Sequence, residues 1–272
     1  VGVSGLASGI LVVAANAWMN SPSGFDYVNG KYLNIDPIKA MFNEAWFSQS
    51  LHMSVAAFCA TGFAVAGLHA YFLLKGKNRE FHLKAFRIAV IFGIFGAVLA
   101  PISGDVAAKS VAKRQPIKLA AMEAHFETEK GASFLIGGIP DEKAETVKYG
   151  IKIPKLLSFL VDGNPNSEVK GLKDFPKEHW PPVAVTHFAF QIMIFLGTVM
   201  MGISVLYLFA LFFKKNWLEK HWLLKLFIIA TPFGYIALEA GWTVTEVGRQ
   251  PWIIYGIMKT AEAVTPMPGI QY

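Results

Sequence analysis

Apolar runs alternate with polar connectors along this 272-residue chain. Five runs stand out: Val1 to Trp18, about Trp46 to Leu74, about Ala85 to Ile102, Val183 to Phe213, and Trp222 to about Thr245. Each can supply the roughly 20 residues that a helix needs to cross a hydrocarbon layer, some with the help of tilt. The expected architecture is all-α and integral to a membrane: a bundle of about five transmembrane helices with one long outer loop. Helices are the expected form for the spans, because no alternating short strands stand out and a lone strand cannot satisfy its backbone in lipid. Three segments follow: residues 1–103 with the first three spans, 104–182 as the loop, and 183–272 with the last two spans.

Composition supports this class. Hydrophobic residues make up 54% of the chain, too many for a soluble domain of this size. The net charge of +6 is not a nucleic-acid signal, because much of the excess sits in two short connectors. One holds Lys75, Lys77, Arg79, Lys84 and Arg87 against Glu80; the other holds Lys214, Lys215, Lys220 and Lys225 against Glu219. By the positive-inside rule both face the cytoplasm, so residues 20–44 and 104–182 face outside. Cys59 is the only cysteine, which excludes an intrachain disulfide and a CxxCH haem attachment. Val1 opens an apolar run with no charged segment before it, so the expectation is a piece of a longer protein.

Several polar side chains interrupt the apolar runs. Glu239, Trp242, Glu246 and Arg249 are spaced three, four and three apart, which on a continuous helix aligns them on one face. A carboxylate at membrane depth costs about 2.5–3.5 kcal/mol even on insertion scales, so such groups usually face a protein interior. His52 lies in the first turns of span two, and Met193 about three turns into span four. With the orientation above, His52, Met193 and Glu246 all fall in the outer half of the membrane. A His/Met pair gives haem iron two strong axial ligands; His187, nearer the outer end of span four, competes for that role. The small residues from Ala56 to Gly67 admit either a bulky group or a close helix neighbour.

The outer loop holds Lys118 and Glu123. A carboxylate that accepts protons and a cation that steadies negative charge would serve the oxidation of a quinol. Five residues apart, they diverge by about 140° on a regular helix. A solvated amphipathic helix is the plain alternative.

The motifs then identify a relative. The run from Glu239 to Trp252, with Gly248-Arg249-Gln250-Pro251-Trp252, resembles subunit I of the cytochrome bd quinol oxidases. So does Gln115-Pro116 with Lys118-Leu119-Ala120-Ala121-Met122-Glu123-Ala124, followed by Glu127-Thr128. Ala15-Asn16-Ala17-Trp18-Met19 with Pro22, Gly104-Asp105, and Gly138-Ile139-Pro140-Asp141 support the match. The resemblance spans essentially the whole chain and corresponds to the family's fourth to eighth helices, with a loop of the short type. Gln191 departs from it, standing where the family often has Arg.

The resemblance implies roles. His52 and Met193 correspond to the ligands of a low-spin haem b. Glu246 corresponds to the ligand of a high-spin haem b, with Trp242 and Arg249 beside it and Glu239 deeper on the helix. The third haem is haem d, or a further haem b. Lys118 and Glu123 correspond to the quinol-loop residues. The implied activity is quinol oxidation at the outer face and reduction of oxygen to water. The implied setting is a bacterial or archaeal cytoplasmic membrane, with oxidase subunit II, a small single-span subunit and the lipid bilayer as partners. Two other readings stay open: a bd-like oxidase with only b haems, and a haem-free transporter or channel with buried carboxylates.

Overall fold

The computed structural model describes residues 2–264. Its elements, in chain order, are α1 (Gly2–Asn20), a hairpin of β1 (Asp26–Val28) and β2 (Lys31–Leu33), α2 (Pro37–Met41), α3 (Trp46–Leu74), α4 (Arg79–Arg114) and α5 (Pro116–Met122). Then come β3 (Glu129–Lys130), β4 (Phe134–Asp141), β5 (Thr146–Ile153), α6 (Leu156–Asp162), β6 (Glu168–Val169), α7 (Val183–Phe213), α8 (His221–Ile229), α9 (Phe233–Val247), β7 (Trp252–Ile254) and β8 (Met258–Lys259). Among the described residues, five helical segments are long and apolar enough to cross a membrane: α1, α3, α4, α7 and the stretch His221–Val247.

Helix ends depart from the apolar runs for local reasons. Span three was expected from about Ala85 to Ile102, yet α4 continues to Arg114, so residues 104–114 belong to a helix and not to an irregular loop. Those residues are polar but hold no helix breaker after Gly104. The stop comes at Gln115, because Pro116 disfavours helical geometry in the residue before it; Gln115 sits at φ −136° and ψ 61°. The last span is interrupted between Ile229 and Phe233. Pro232 has no N–H to donate there, and the chain turns through bonds from Thr231 N to Ile228 O and Phe233 N to Ala230 O. At the far end α9 stops at Val247, so Arg249 lies beyond the helix. The single four-residue helical face expected from the spacing therefore ends at Glu246.

The outer loop is not all helix or coil. β4 and β5 form an antiparallel hairpin, with Phe134 opposite Ile153 and Asp141 opposite Thr146. The alternation Val147, Tyr149, Ile151, Ile153 was the available signal; glycines at 137, 138 and 150 and the lysines between dilute it.

The described residues divide into two compact units. One comprises residues 2–50, 108–187 and 244–264; the other comprises residues 51–107 and 188–243. The second unit is a helical core around Phe63, Phe86, Tyr207 and Phe227. The Phe227 ring lies 5.6, 5.2 and 5.8 Å from those of Phe63, Phe86 and Tyr207, within the range of favourable aromatic pairs. Small residues bring its helices together. A Cβ on Gly62 would lie 2.2 Å from Gly93 N, and one on Gly234 would lie 2.3 Å from Ala60 Cα. The small-residue run of α3 thus serves close helix packing at these positions. At one end Arg79 and Arg87 both pair with Glu219.

The first unit holds the loop on two apolar clusters. Ile117, Ala120, Ala121, Phe126, Leu135 and Leu172 pack in one, and Leu119, Ala132, Leu157 and Val169 in the other. These clusters bury α5 on nearly every side, which decides the environment of Lys118 and Glu123.

Candidate functional site

In the first unit, α1 carries Asn16 and Asn20 one turn apart, and together they reach several distant residues. Lys118 Nζ donates to Asn20 Oδ1 at 2.8 Å and to the Thr245 carbonyl at 3.1 Å. Gln115 Nε2 donates to the Asn20 carbonyl and to Asn20 Oδ1 at 3.0 and 3.1 Å. Asn20 Nδ2 donates to Asn16 Oδ1 at 2.9 Å. Asn16 Nδ2 donates in turn to Glu246 Oε1, and Arg249 Nη2 donates to Glu246 Oε2 at 2.6 Å. An unbroken line of hydrogen bonds thus joins Lys118 to Glu246 and Arg249.

The two ends of the line are dry. Lys118 and Arg249 are 4% and 2% exposed. Burial, and then repulsion from Arg249, lower the Lys118 pKa to about 7, while Glu246 acts in the opposite sense. Arg249 Nε and Nη1 are buried without an acceptor among the described residues. An unsatisfied guanidinium is costly, and guanidinium favours carboxylate partners.

Glu123 caps the end of α5, one residue past Met122. Glu123 itself is still in right-handed helical geometry and its N–H bonds to the Leu119 carbonyl at 3.1 Å, so the divergence from Lys118 expected for a regular helix holds for this pair. Glu123 is buried, receives a hydrogen bond from the Leu135 backbone, and keeps Oε2 without a partner. Burial raises its pKa to about 8, against the lowering effect of the Leu135 bond. His187 is fully buried, with Nδ1 2.8 Å from the Met122 carbonyl and Nε2 3.1 Å from the Gly137 carbonyl. It ties α5 to the β4–β5 hairpin, which favours a structural histidine over a haem ligand. A cleft of about 260 Å³ runs alongside α5, lined by Ala112, Pro116, Leu119, Val161 and Val169 with Lys113 and Lys170. Neither Lys118 nor Glu123 lines it.

In the second unit His52 is half-buried, and its Nδ1 lies 3.0 Å from Ser103 Oγ. Met193 is half-buried, with Sδ set so closely over Gly241 that a Cβ there would lie 3.0 Å from it. Glu239 is exposed, and Trp242 is 65% exposed. Among the described residues no three His, Cys, Asp or Glu side chains converge as a metal-binding group.

Asn16, Asn20, Gln115 and Thr245 were not singled out as site residues from the sequence. Two asparagines four apart in an apolar span were the signal for the first two.

A helical membrane protein with a buried lysine and a buried arginine joined in line through a half-buried acid is the class that this geometry defines. The sequence profile of the family described as cytochrome bd terminal oxidase subunit I matches residues 1–272, and the chain belongs to that family. It is 36% identical to a putative cytochrome bd menaquinol oxidase subunit I of Bacillus subtilis over 98% of the chain and 61% of the relative. It is 31% identical to the cytochrome bd ubiquinol oxidase subunit 1 of the same organism, over 96% and 58%. It also superposes on the bd oxidase structure from Geobacillus thermodenitrificans with a TM-score of 0.90 and 37% identity, over 99% of this chain and 62% of that one. The chain thus spans about three fifths of the length of these proteins. It is an integral membrane protein, and haem is the cofactor that its family implies.

The residues present fit such a group. His52 Nε2 makes no hydrogen bond within the described residues, and Arg249 offers two buried donors suited to a carboxylate such as a haem propionate.

Proposed function

We propose that this chain contributes the quinol-oxidising and haem-holding part of a quinol:oxygen oxidoreductase of the cytochrome bd type. The observation that carries the reading is the hydrogen-bonded line Lys118–Asn20–Asn16–Glu246–Arg249. It joins the residue expected at the quinol loop to the residue expected to hold a haem.

Haem bound by this chain would supply one-electron carriers between quinol and oxygen. His52 and Met193 would hold the low-spin haem b, and Glu246 would hold the high-spin haem b. A third haem, haem d or a further haem b, completes the set. Arg249 orients and neutralises carboxylate groups beside Glu246, and Trp242 and Glu239 line the same stretch of α9.

Quinol oxidation releases two electrons and two protons. Glu123, poised near pH 8, and Lys118, poised near pH 7, exchange protons in the working range, as general acid–base groups must. The cleft beside α5, lined by its Pro116 and Leu119, offers a quinol ring an approach to this helix. The quinol loop lies on the outer side of a bacterial or archaeal cytoplasmic membrane, and an oxidase subunit II and a small single-span subunit complete the assembly.

The test is a reduced-minus-oxidised spectrum of the purified complex, with its haems extracted, alongside quinol-driven oxygen uptake. Low-spin and high-spin haem signals with quinol-dependent oxygen uptake are the expected result. Protein without Soret absorbance would instead point to an ion path through the buried carboxylates.

A further inference from the structure

Ser103 lies on α4 in the second unit and is 3% exposed. Its Oγ is 3.0 Å from His52 Nδ1 and 3.1 Å from the Ala100 carbonyl oxygen. A serine hydroxyl has one hydrogen and two acceptor lone pairs. The Ala100 carbonyl only accepts, so the hydrogen is committed to Ala100, the usual back-bond of a serine inside a helix. Lone pairs of Oγ then face His52, and only an Nδ1–H can meet them. An uncharged imidazole with its proton on Nδ1 carries a free lone pair on Nε2. Nε2 is also the ring nitrogen with no hydrogen bond within the described residues.

We propose that Ser103 is a positioning residue that locks His52 in the Nδ1–H tautomer and leaves the Nε2 lone pair free for the iron that His52 would hold. The inference rests on the reading of His52 as the low-spin haem ligand and adds the group that prepares it. Donation from Nδ1–H to an acceptor fixes the ring and makes the imidazole a stronger donor at its other nitrogen. A stronger donor favours ferric iron, so the hydroxyl holds the reduction potential down. Ala100 has its part as well: by taking the serine hydrogen it prevents the opposite polarity, in which Ser103 donates to Nδ1 and Nε2 keeps a proton.

The experiment is redox titration of the low-spin haem in the assembled complex carrying Ser103→Ala, Ser103→Thr or His52→Ala. Ser103→Ala is expected to keep the haem but shift its one-electron equilibrium about threefold to tenfold toward the reduced form, up to about 59 mV. Ser103→Thr keeps the hydroxyl and is expected to titrate like the parent. Loss of the haem in Ser103→Ala with retention in Ser103→Thr would also support positioning. A parental potential in Ser103→Ala, or loss of the haem in both serine variants, would overturn it. Retention of a normal low-spin haem in His52→Ala would instead remove the ligand reading beneath it.

Discussion

Lys118 and Asn20 stand 98 positions apart in the chain, and their side chains meet at 2.8 Å. The contact gives a buried ammonium an acceptor in a place that water does not reach. Truncation at either end would leave the other group one partner short, with Lys118 keeping the Thr245 carbonyl and Asn20 Oδ1 keeping Gln115, at a cost of about 1 kcal/mol. Asn20→Leu is therefore expected to act like Lys118→Met, lowering quinol oxidation about tenfold or more. Asn20→Asp would supply a charge partner, hold the Lys118 proton more firmly, and move the alkaline limb of the activity profile upward. An unchanged profile in Asn20→Asp would remove Lys118 from the titrating groups.

Lys118→Ala and Glu123→Ala should lower quinol-driven turnover yet spare oxygen uptake fed by an artificial donor that bypasses the quinol site. Comparison of the two rates in one preparation is the measurement. Equal loss with both donors would assign the pair to assembly of the loop.

Glu123 also sets a pH dependence of stability. Its folded value of about 8 exceeds the ordinary 4.5, so the folded chain binds more protons between these values and loses stability as pH rises through them. Lys118 shows the opposite slope. Its folded value of about 7 lies below the ordinary 10.5, so the folded chain binds fewer protons in that window and gains stability as pH rises. Glu123→Gln keeps an oxygen for the Leu135 N–H and removes the first penalty, on the order of a few kcal/mol. Its thermal midpoint in detergent should exceed the parent's at pH 9 and match it near pH 4. A uniform offset at both pH values would contradict the titration.

His52→Ala and Met193→Leu are each expected to remove the low-spin haem signals while leaving the high-spin signals largely in place. Absorption and electron paramagnetic resonance spectra of the oxidised complex provide the reading. Normal low-spin spectra in both variants would sink the assignment.

Glu246→Ala should be far more damaging than Glu239→Ala. Glu246 accepts from Asn16 and Arg249, whereas Glu239 is exposed. Removing the partner of a buried cation costs about 3–5 kcal/mol, so Glu246→Ala should lower both the yield of folded protein and turnover. Comparable yields and rates for the two variants would show that the bonds around Glu246 carry little weight.

Local chemistry made much of the chain legible. Five long apolar runs specify membrane-crossing helices because lipid leaves a backbone no other way to satisfy itself. Pro232, inside a run that reads as one continuous span, interrupts the helix between Ile229 and Phe233 because it lacks an N–H and constrains its neighbour. Residues 104–114, counted with the outer loop and readable as a solvated helix, continue α4, because a helix can leave an apolar layer without ending. The hairpin of β4 and β5 was hidden by glycines that blur its alternation. Tertiary structure alone decided the company of the polar groups. Asn16 meets Glu246 across 230 positions and Lys118 meets Asn20 across 98. No periodicity encodes such pairings: they arise where separate elements pack, and burial there moves Lys118 and Glu123 into the titration range of neutral pH. The sequence by itself thus determined which residues could do chemistry, while packing decided which are dry, which are paired, and which protons they hold.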